Sequence, residues 1–183
     1  MHFEYRTDRL SLRVLDENDA NKSLMFYLTG SKLFNTVEPS KPNEFYTLSY
    51  QRALLRSEYE SFLDGSYLRY YITTIDNPDT IIGTASYGQI TKGVYHSCIL
   101  GYKLHPNYHK QGYALEALTA LNHAVFTEHH MHRIEAFVLP HNEPSIRLLM
   151  RLGFECEGMA RSVIRLDNGY TDHLRFARIN PFD

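Results

Sequence analysis

The stretch "HKQGYALEAL", residues 109–118, decides how the rest of this chain is read. A run with strand character, "CILGYKL" (98–104), precedes it, and a helical pattern follows. The turn between them carries His109, Lys110, Gln111, Gly112, Tyr113 and Ala114, with no acid before Glu116. A strand that feeds a helix through such a turn points several backbone N–H groups at one spot. The helix dipole adds partial positive charge there. Gly112 allows close backbone approach, and Ala114 keeps the first turn slim. The combination suits a diphosphate, although a plain connecting turn has the same outline, so the neighbouring sequence must decide.

Downstream, Ala114, Leu118, Leu121 and Val125 recur at helical spacing. "RIEAFVL" (133–139) reads as a strand. "NEPSIRLLMRLG" (142–153) reads as a helix capped by Asn142, with Pro144 in its first turn and Gly153 past its end. "FECEGMARSVIRL" (154–166) and "YTDHLRFARI" (170–179) are strands joined at "DNG" (167–169), a hairpin signal. Upstream, "YLRYYITTI" (67–75), "TIIGTASYGQI" (80–90) and "VYHSCILGYKL" (94–104) should form an antiparallel meander. Before it come a strand at 9–15, a helix from Asp16 to about residue 30, a loop at 31–41, and a helix at 43–64 that stops at Gly65. The sum is a mixed α/β chain with a central sheet and helices against it.

The bounds agree with an ordinary globular protein. A chain of 183 residues, 43% hydrophobic and 22% charged, is read as a single domain over 1–183. A net charge of −2 gives no global pull toward nucleic acid or anionic membrane. No apolar run reaches membrane-spanning length, and "MHFEYRTDRL" has no apolar core of a secretory signal. Cys98 and Cys156 are far apart and form no metal or redox motif, so a cytoplasmic location is expected. The histidines of "EHHMH" (128–132) sit at a helix end, where they complement the dipole, and no metal is expected there. Cys98, on an apolar strand, reads as a buried structural thiol.

From about residue 98 to 179 the chain resembles the GNAT acetyltransferases, in particular the RimJ/RimL-like branch that acetylates ribosomal-protein N-termini. The matching pieces are "LGYKLHPNYHKQGYALEAL", "HRIEAFVLPHNEPSIRLLMRLGFECEG" and "NGYTDHLRFARI", with looser matches at "TDRLSLRVLDENDA" and "IIGTASYG". The family's phosphate motif is Gln/Arg-x-x-Gly-x-Gly/Ala, and His109 stands where Gln or Arg is usual. The resemblance implies the GNAT fold, a mostly antiparallel twisted sheet of about seven strands with about four helices. It implies acetyl-CoA as cofactor and direct transfer of acetyl to a primary amine. It places the diphosphate on residues 109–114 and the pantetheine arm beside Asn142 and Ser145. It also puts the oxyanion on the backbone of Tyr102, Lys103 and Leu104. Homodimers, often through the terminal strands, are frequent in the family.

For chemistry, Ser145 is the candidate to hydrogen-bond or protonate the departing thiolate. Asn142 and Ser145 also have a purely local reading as helix-start residues. A base must take the amine's proton. Ile164 stands where some RimL-like enzymes carry Glu, which leaves Glu135 as the candidate base, against a structural ion pair with Arg133 or Arg147. Tyr87 and His96 are further candidates to line the acceptor cleft. Asp172 and His173 sit in the closing strand, and Asp172, which resembles an Asp of the family there, reads as a hairpin or substrate-loop contact and not as a base. Arg147 reads as solvated or as a phosphate contact. The expected acceptor is a protein N-terminus. Alternatives are a small amine, such as a polyamine, aminoglycoside or amino-acid derivative, and a non-catalytic CoA-binding module. The segments at 31–44 and 163–172 wall the acceptor side in the family and should decide among them.

Overall fold

The computed structural model describes residues 2–183. One sheet holds eight strands: β1 (Glu4–Arg6), β2 (Leu10–Arg13), β3 (Leu68–Thr74), β4 (Asn77–Thr91), β5 (Ser97–Leu104), β6 (Arg133–Val138), β7 (Glu155–Leu166) and β8 (Gly169–Ile179), in the order β1-β2-β3-β4-β5-β6-β8-β7. Every neighbouring pair is antiparallel except β5 and β6. Four α-helices flank it: α1 (Ala20–Phe34), α2 (Leu48–Asp64), α3 (Tyr113–Thr127) and α4 (Glu143–Arg151).

Strand alternation divides the apolar residues between two faces. Leu10, Leu12, Tyr70, Ile72, Ala85, Tyr87, Leu100, Ile134, Ala136 and Phe176 meet Leu118, Leu121 and Val125 of α3 and Leu149 of α4. On the opposite face Tyr71 and Ile81 meet Phe26, Tyr27 and Phe34 of α1, Phe45, and Leu55 of α2. Cys98 is buried in the first cluster, as the sequence suggested for a structural thiol, and burial pushes its thiol up to about 12. Beneath α2, Glu58 accepts from Tyr71 Oη at 2.8 Å and pairs with Arg69 at 3.2 Å, a nearly dry ion pair.

Three expectations are corrected. The sheet has eight strands because a short β1 pairs with β2 ahead of the first predicted strand. Helix α1 runs through Gly30 to Phe34, although a loop was expected from residue 31. The Phe34 ring folds back into the space that a Cβ at position 30 would fill, so glycine there leaves room for the ring. Residues 94–96 lie outside β5, and His96 is in a left-handed conformation.

Candidate active site

β5 and β6 pair over only three positions, Ser97↔Arg133, Cys98↔Ile134 and Ile99↔Glu135. Beyond them the two strands part. A cavity of about 150 Å³ occupies the gap, lined by Gly101 and Tyr102 of β5, Phe137 of β6, Asn142, Ser145 of α4 and His173 of β8. A larger groove of about 600 Å³ lies between α1 and residues 105–108, where Lys22 pairs with Asp79 at 2.9 Å. None of Tyr102, Asn142, Ser145 or residues 109–114 borders that groove, so its size does not mark the chemistry.

The turn that opened the sequence reading starts α3 as expected. Gly112 is the N-cap with φ +83°, a left-handed conformation that favours glycine. No side chain of the cap residue closes the helix start, and Glu116 N–H donates to Gly112 O at 3.0 Å. The N–H groups of Tyr113, Ala114 and Leu115 therefore have no acceptor inside the helix. Lys110, also left-handed and exposed, has no ion-pair partner among the described residues. Gln111 is turned back onto Asn107 O at 3.1 Å. His109 Nε2 donates to Leu104 O at 2.9 Å, so its ring fixes the strand end.

Arg9 secures this turn, and it was not among the candidates. Its Nη1 donates to Gln111 O at 3.0 Å, its guanidinium pairs with Glu116 at 2.7 Å, and it stacks over the Tyr113 ring at 4.6 Å. Burial would raise the Glu116 pKa, but hydrogen bonds from Thr7 and Arg9 outweigh it and hold the carboxyl low. The available signal was the position of Arg9 in "TDRLSL", the looser of the family matches.

At the other wall, Asn142 Oδ1 accepts from Ser145 N–H at 3.3 Å, which is the expected cap. The Ser145 hydroxyl is turned out of the helix and lies 2.5 Å from Tyr102 Oη. Burial pushes the Tyr102 phenol up to about 12, so it stays protonated near neutrality and can donate to Ser145. Tyr102 was expected to contribute its backbone, and its hydroxyl is the additional finding.

The backbone of β5 sorts itself by alternation. His105 N–H donates to Ile82 O at 2.7 Å, so Lys103, two residues earlier, also directs its backbone groups at β4. Tyr102 and Leu104 direct theirs away from β4, and Tyr102 borders the gap. Lys103 therefore corrects the expectation for the 102–104 backbone. Its side chain crosses to the α1 face instead, where Nζ meets Glu38 at 2.5 and 2.6 Å and lies 5.3 Å from the Tyr27 and Phe34 rings. Burial pulls the Lys103 pKa down to about 8, against the opposing pull of Glu38. The same α1–α2 connection is tied to the β7–β8 turn: Ser40 donates to Asp167 through N–H at 3.0 Å and Oγ at 2.5 Å.

Glu135 does not border the cavity. Its carboxylate lies 2.6 Å from Arg133 Nε and 2.5 Å from Arg175 Nη2, and Glu157 joins both arginines. Burial would raise its pKa, but hydrogen bonds from Arg175 and Arg133 prevail and hold the group below the usual range. A carboxylate held this way is a poor proton acceptor, and the ion-pair reading with Arg133 fits. Tyr87 is buried and donates to Asn122 Oδ1 at 2.7 Å, while His96 Nδ1 lies 3.3 Å from His130 O, so neither lines the gap. Arg147 pairs with Glu143 at 2.8 Å. Asp172 accepts from Ser162 N–H at 2.8 Å, a hairpin contact.

The site thus joins a split strand pair to an uncapped helix start on one side and a hydroxyl pair on the other. Comparison with known proteins gives the class. The model of the acetyltransferase (GNAT) domain matches residues 9–155, and the chain belongs to this family. It is 33% identical over 175 residues to the [ribosomal protein uS5]-alanine N-acetyltransferase of Escherichia coli, covering 96% of this chain and 90% of that protein. The crystal structure of ribosomal-protein-S5-alanine acetyltransferase from Vibrio fischeri superposes with a TM-score of 0.92 at 25% identity, covering 98% of each chain. Mycobacterium smegmatis RimJ, solved in complex with CoA-disulfide, superposes with a TM-score of 0.85 at 25% identity, over 93% of this chain and 81% of that one. The protein is thus a GNAT N-acetyltransferase of the RimJ/RimL-like kind, with acetyl-CoA as its cosubstrate. No helix among the described residues is long and apolar enough to cross a membrane.

Proposed function

We propose that this chain acts as a single catalytic domain over residues 1–183, in the cytoplasm, and acetylates the N-terminal amine of a protein of the ribosomal uS5 kind. The observation that carries the reading is likeness along almost the whole chain to an enzyme named for that acceptor. The cavity supports it. A volume of about 150 Å³ equals roughly five waters at the bulk volume of about 30 Å³ each. That is room for an acetyl group and the acceptor's amine at the point where the strands part.

Acetyl-CoA supplies an activated acetyl thioester. The N–H groups of Tyr113, Ala114 and Leu115, with Gly112 and Lys110, would hold its diphosphate. Asn142 orders the first turn of α4 so that Ser145 faces the gap. Leu104 and Tyr102 offer backbone N–H groups where negative charge develops on the carbonyl oxygen. Ser145, backed by the Tyr102 hydroxyl, hydrogen-bonds the departing sulfur and supplies its proton. His109 keeps the Leu104 carbonyl occupied, so that strand end keeps its orientation.

The test is CoA release with a panel of peptides bearing Ala, Ser and Met N-termini, spermidine, an aminoglycoside and free amino acids. Turnover of the Ala and Ser peptides well above Met and the small amines is expected. Turnover confined to a small amine would transfer the protein to metabolism or detoxification.

A further inference from the structure

We propose that His173 is the general base that takes the proton from the acceptor amine. The inference rests on acetyl transfer in the β5–β6 gap and does not depend on which amine is the acceptor.

His173 is 3% exposed, yet it borders the cavity. Its Nδ1 lies 3.2 Å from Thr171 O. A carbonyl oxygen only accepts, so this contact makes Nδ1 the donor and leaves Nε2 as the ring nitrogen able to take a proton. Nε2 has no hydrogen-bond partner among the described residues. The ring is thus fixed in one tautomer, with its basic nitrogen unused.

Position decides its role. Leu174 and Phe176 of β8 pack with the α3-side cluster, so His173 projects to the opposite face. Tyr102 packs with the α3-side cluster, and Ser145 meets it there from α4. Lys103 and Val37 belong to the His173 face, where the α1–α2 connection lies. The two proton-handling groups therefore approach the gap from opposite faces of the sheet. A thioester threaded from the α3 and α4 side would present its carbonyl in the gap. An amine arriving past the α1–α2 connection would meet His173, while sulfur leaves toward Ser145. This is the arrangement that one base and one acid need in direct transfer.

The step balances. The amine nitrogen forms the C–N bond as the C–S bond breaks, and sulfur departs with the bonding pair. His173 Nε2 accepts the proton from nitrogen. Ser145 gives a proton to sulfur and is refilled from Tyr102, and solvent restores both ends. Of the side chains bordering the cavity, Tyr102 is the other titratable one, and its burial-raised phenol suits a donor. Charged groups on the same face are the Glu38–Lys103 pair and Arg175, two residues along β8 and paired with Glu135, while Asp172 faces away onto Ser162. β6 and α4 contribute only uncharged lining, and β7 pairs Ala160 with His173.

The variant His173→Asn keeps an amide N–H where Nδ1 donates and removes Nε2. Its kcat/KM for the acceptor should fall about a hundredfold near neutrality, within the range such bases contribute. Acetyl-CoA affinity should be unchanged, and the deficit should shrink as pH rises and the amine deprotonates unaided. A variant within about threefold of wild type overturns the proposal, while wild-type turnover of the panel would still uphold acetyl transfer. Should the variant fail to fold, wild-type profiles decide. Two acceptor peptides whose amines differ in pKa are compared in kcat/KM against pH. A shared acidic limb supports an enzyme base, and a limb that follows each peptide's own amine overturns it.

Discussion

Tyr102 Oη lies 2.5 Å from Ser145 Oγ, a contact that joins β5 to α4 across the point where the sheet opens. If the two hydroxyls act as one relay, their losses will not add. Ser145→Ala is expected to lower kcat by about 10²-fold, and Tyr102→Phe by somewhat less. The double variant should be no slower than Ser145→Ala alone, because coupled groups fail as a unit. Steady-state kinetics on the four proteins checks this. Multiplicative losses would show two independent contributions.

At the start of α3, a side chain on residue 112 faces two obstacles. The φ of +83° is costly for an L-residue, and a Cβ would come within 3.3 Å of Arg9 Nη2. Gly112→Val should therefore raise the acetyl-CoA Kd by at least about tenfold, in line with a left-handed penalty of roughly 1–2 kcal/mol. Arg9→Ala should also weaken acetyl-CoA, by loosening the Gln111 carbonyl, and leave kcat at saturation nearly unchanged. Calorimetric titration reads both. Unchanged affinity in the Gly112 variant would remove the diphosphate from this turn.

Glu135→Gln separates structure from catalysis. The carboxylate is held below its ordinary pKa, so the folded state binds its proton less readily than the unfolded chain. Its stabilisation is complete above the unfolded value of about 4.3 and is lost as pH falls through the lower folded value. The variant should keep wild-type kcat, lose about 1 kcal/mol at neutral pH, and show a shallower loss of stability in acid. A fall in kcat of a hundredfold would return Glu135 to the chemistry.

Glu58→Ala should be among the more damaging single changes. It strands Arg69 and the Tyr71 hydroxyl beneath α2 with no carboxylate. Removing one member of a buried pair costs about 3–5 kcal/mol. Urea unfolding should show a lower midpoint at an unchanged slope.

How much of this was legible beforehand follows from what each residue depends on. The turn at 109–114 and the cap at Asn142 announce themselves because local spacing alone creates them. α1 was cut short at Gly30, since the sequence does not show that Phe34 needs that space. The direction of the Lys103 backbone is hidden in the sequence, because alternation relative to β4 depends on a register that only the paired strand defines. The ion pairing of Glu135 is only half legible, because Arg175, forty residues away, reaches it only across the β6–β8 ladder. Arg9 and Glu38 act from remote segments on elements they do not adjoin, so no local pattern marks them.

The three-residue seam between β5 and β6 has a consequence for how the molecule withstands heat. Among the described residues it is the only strand pairing that connects the first five strands to the last three, so the sheet contains a ready-made fissure. A ligand wedged there would touch both sides and act as a staple against their separation. Any compound that fits only the closed fissure raises the melting point by mass action, by about 2.7 kcal/mol of stability at a hundredfold excess over its Kd. Thermal shift with CoA and its fragments would then map the fissure piece by piece, without any acceptor in hand.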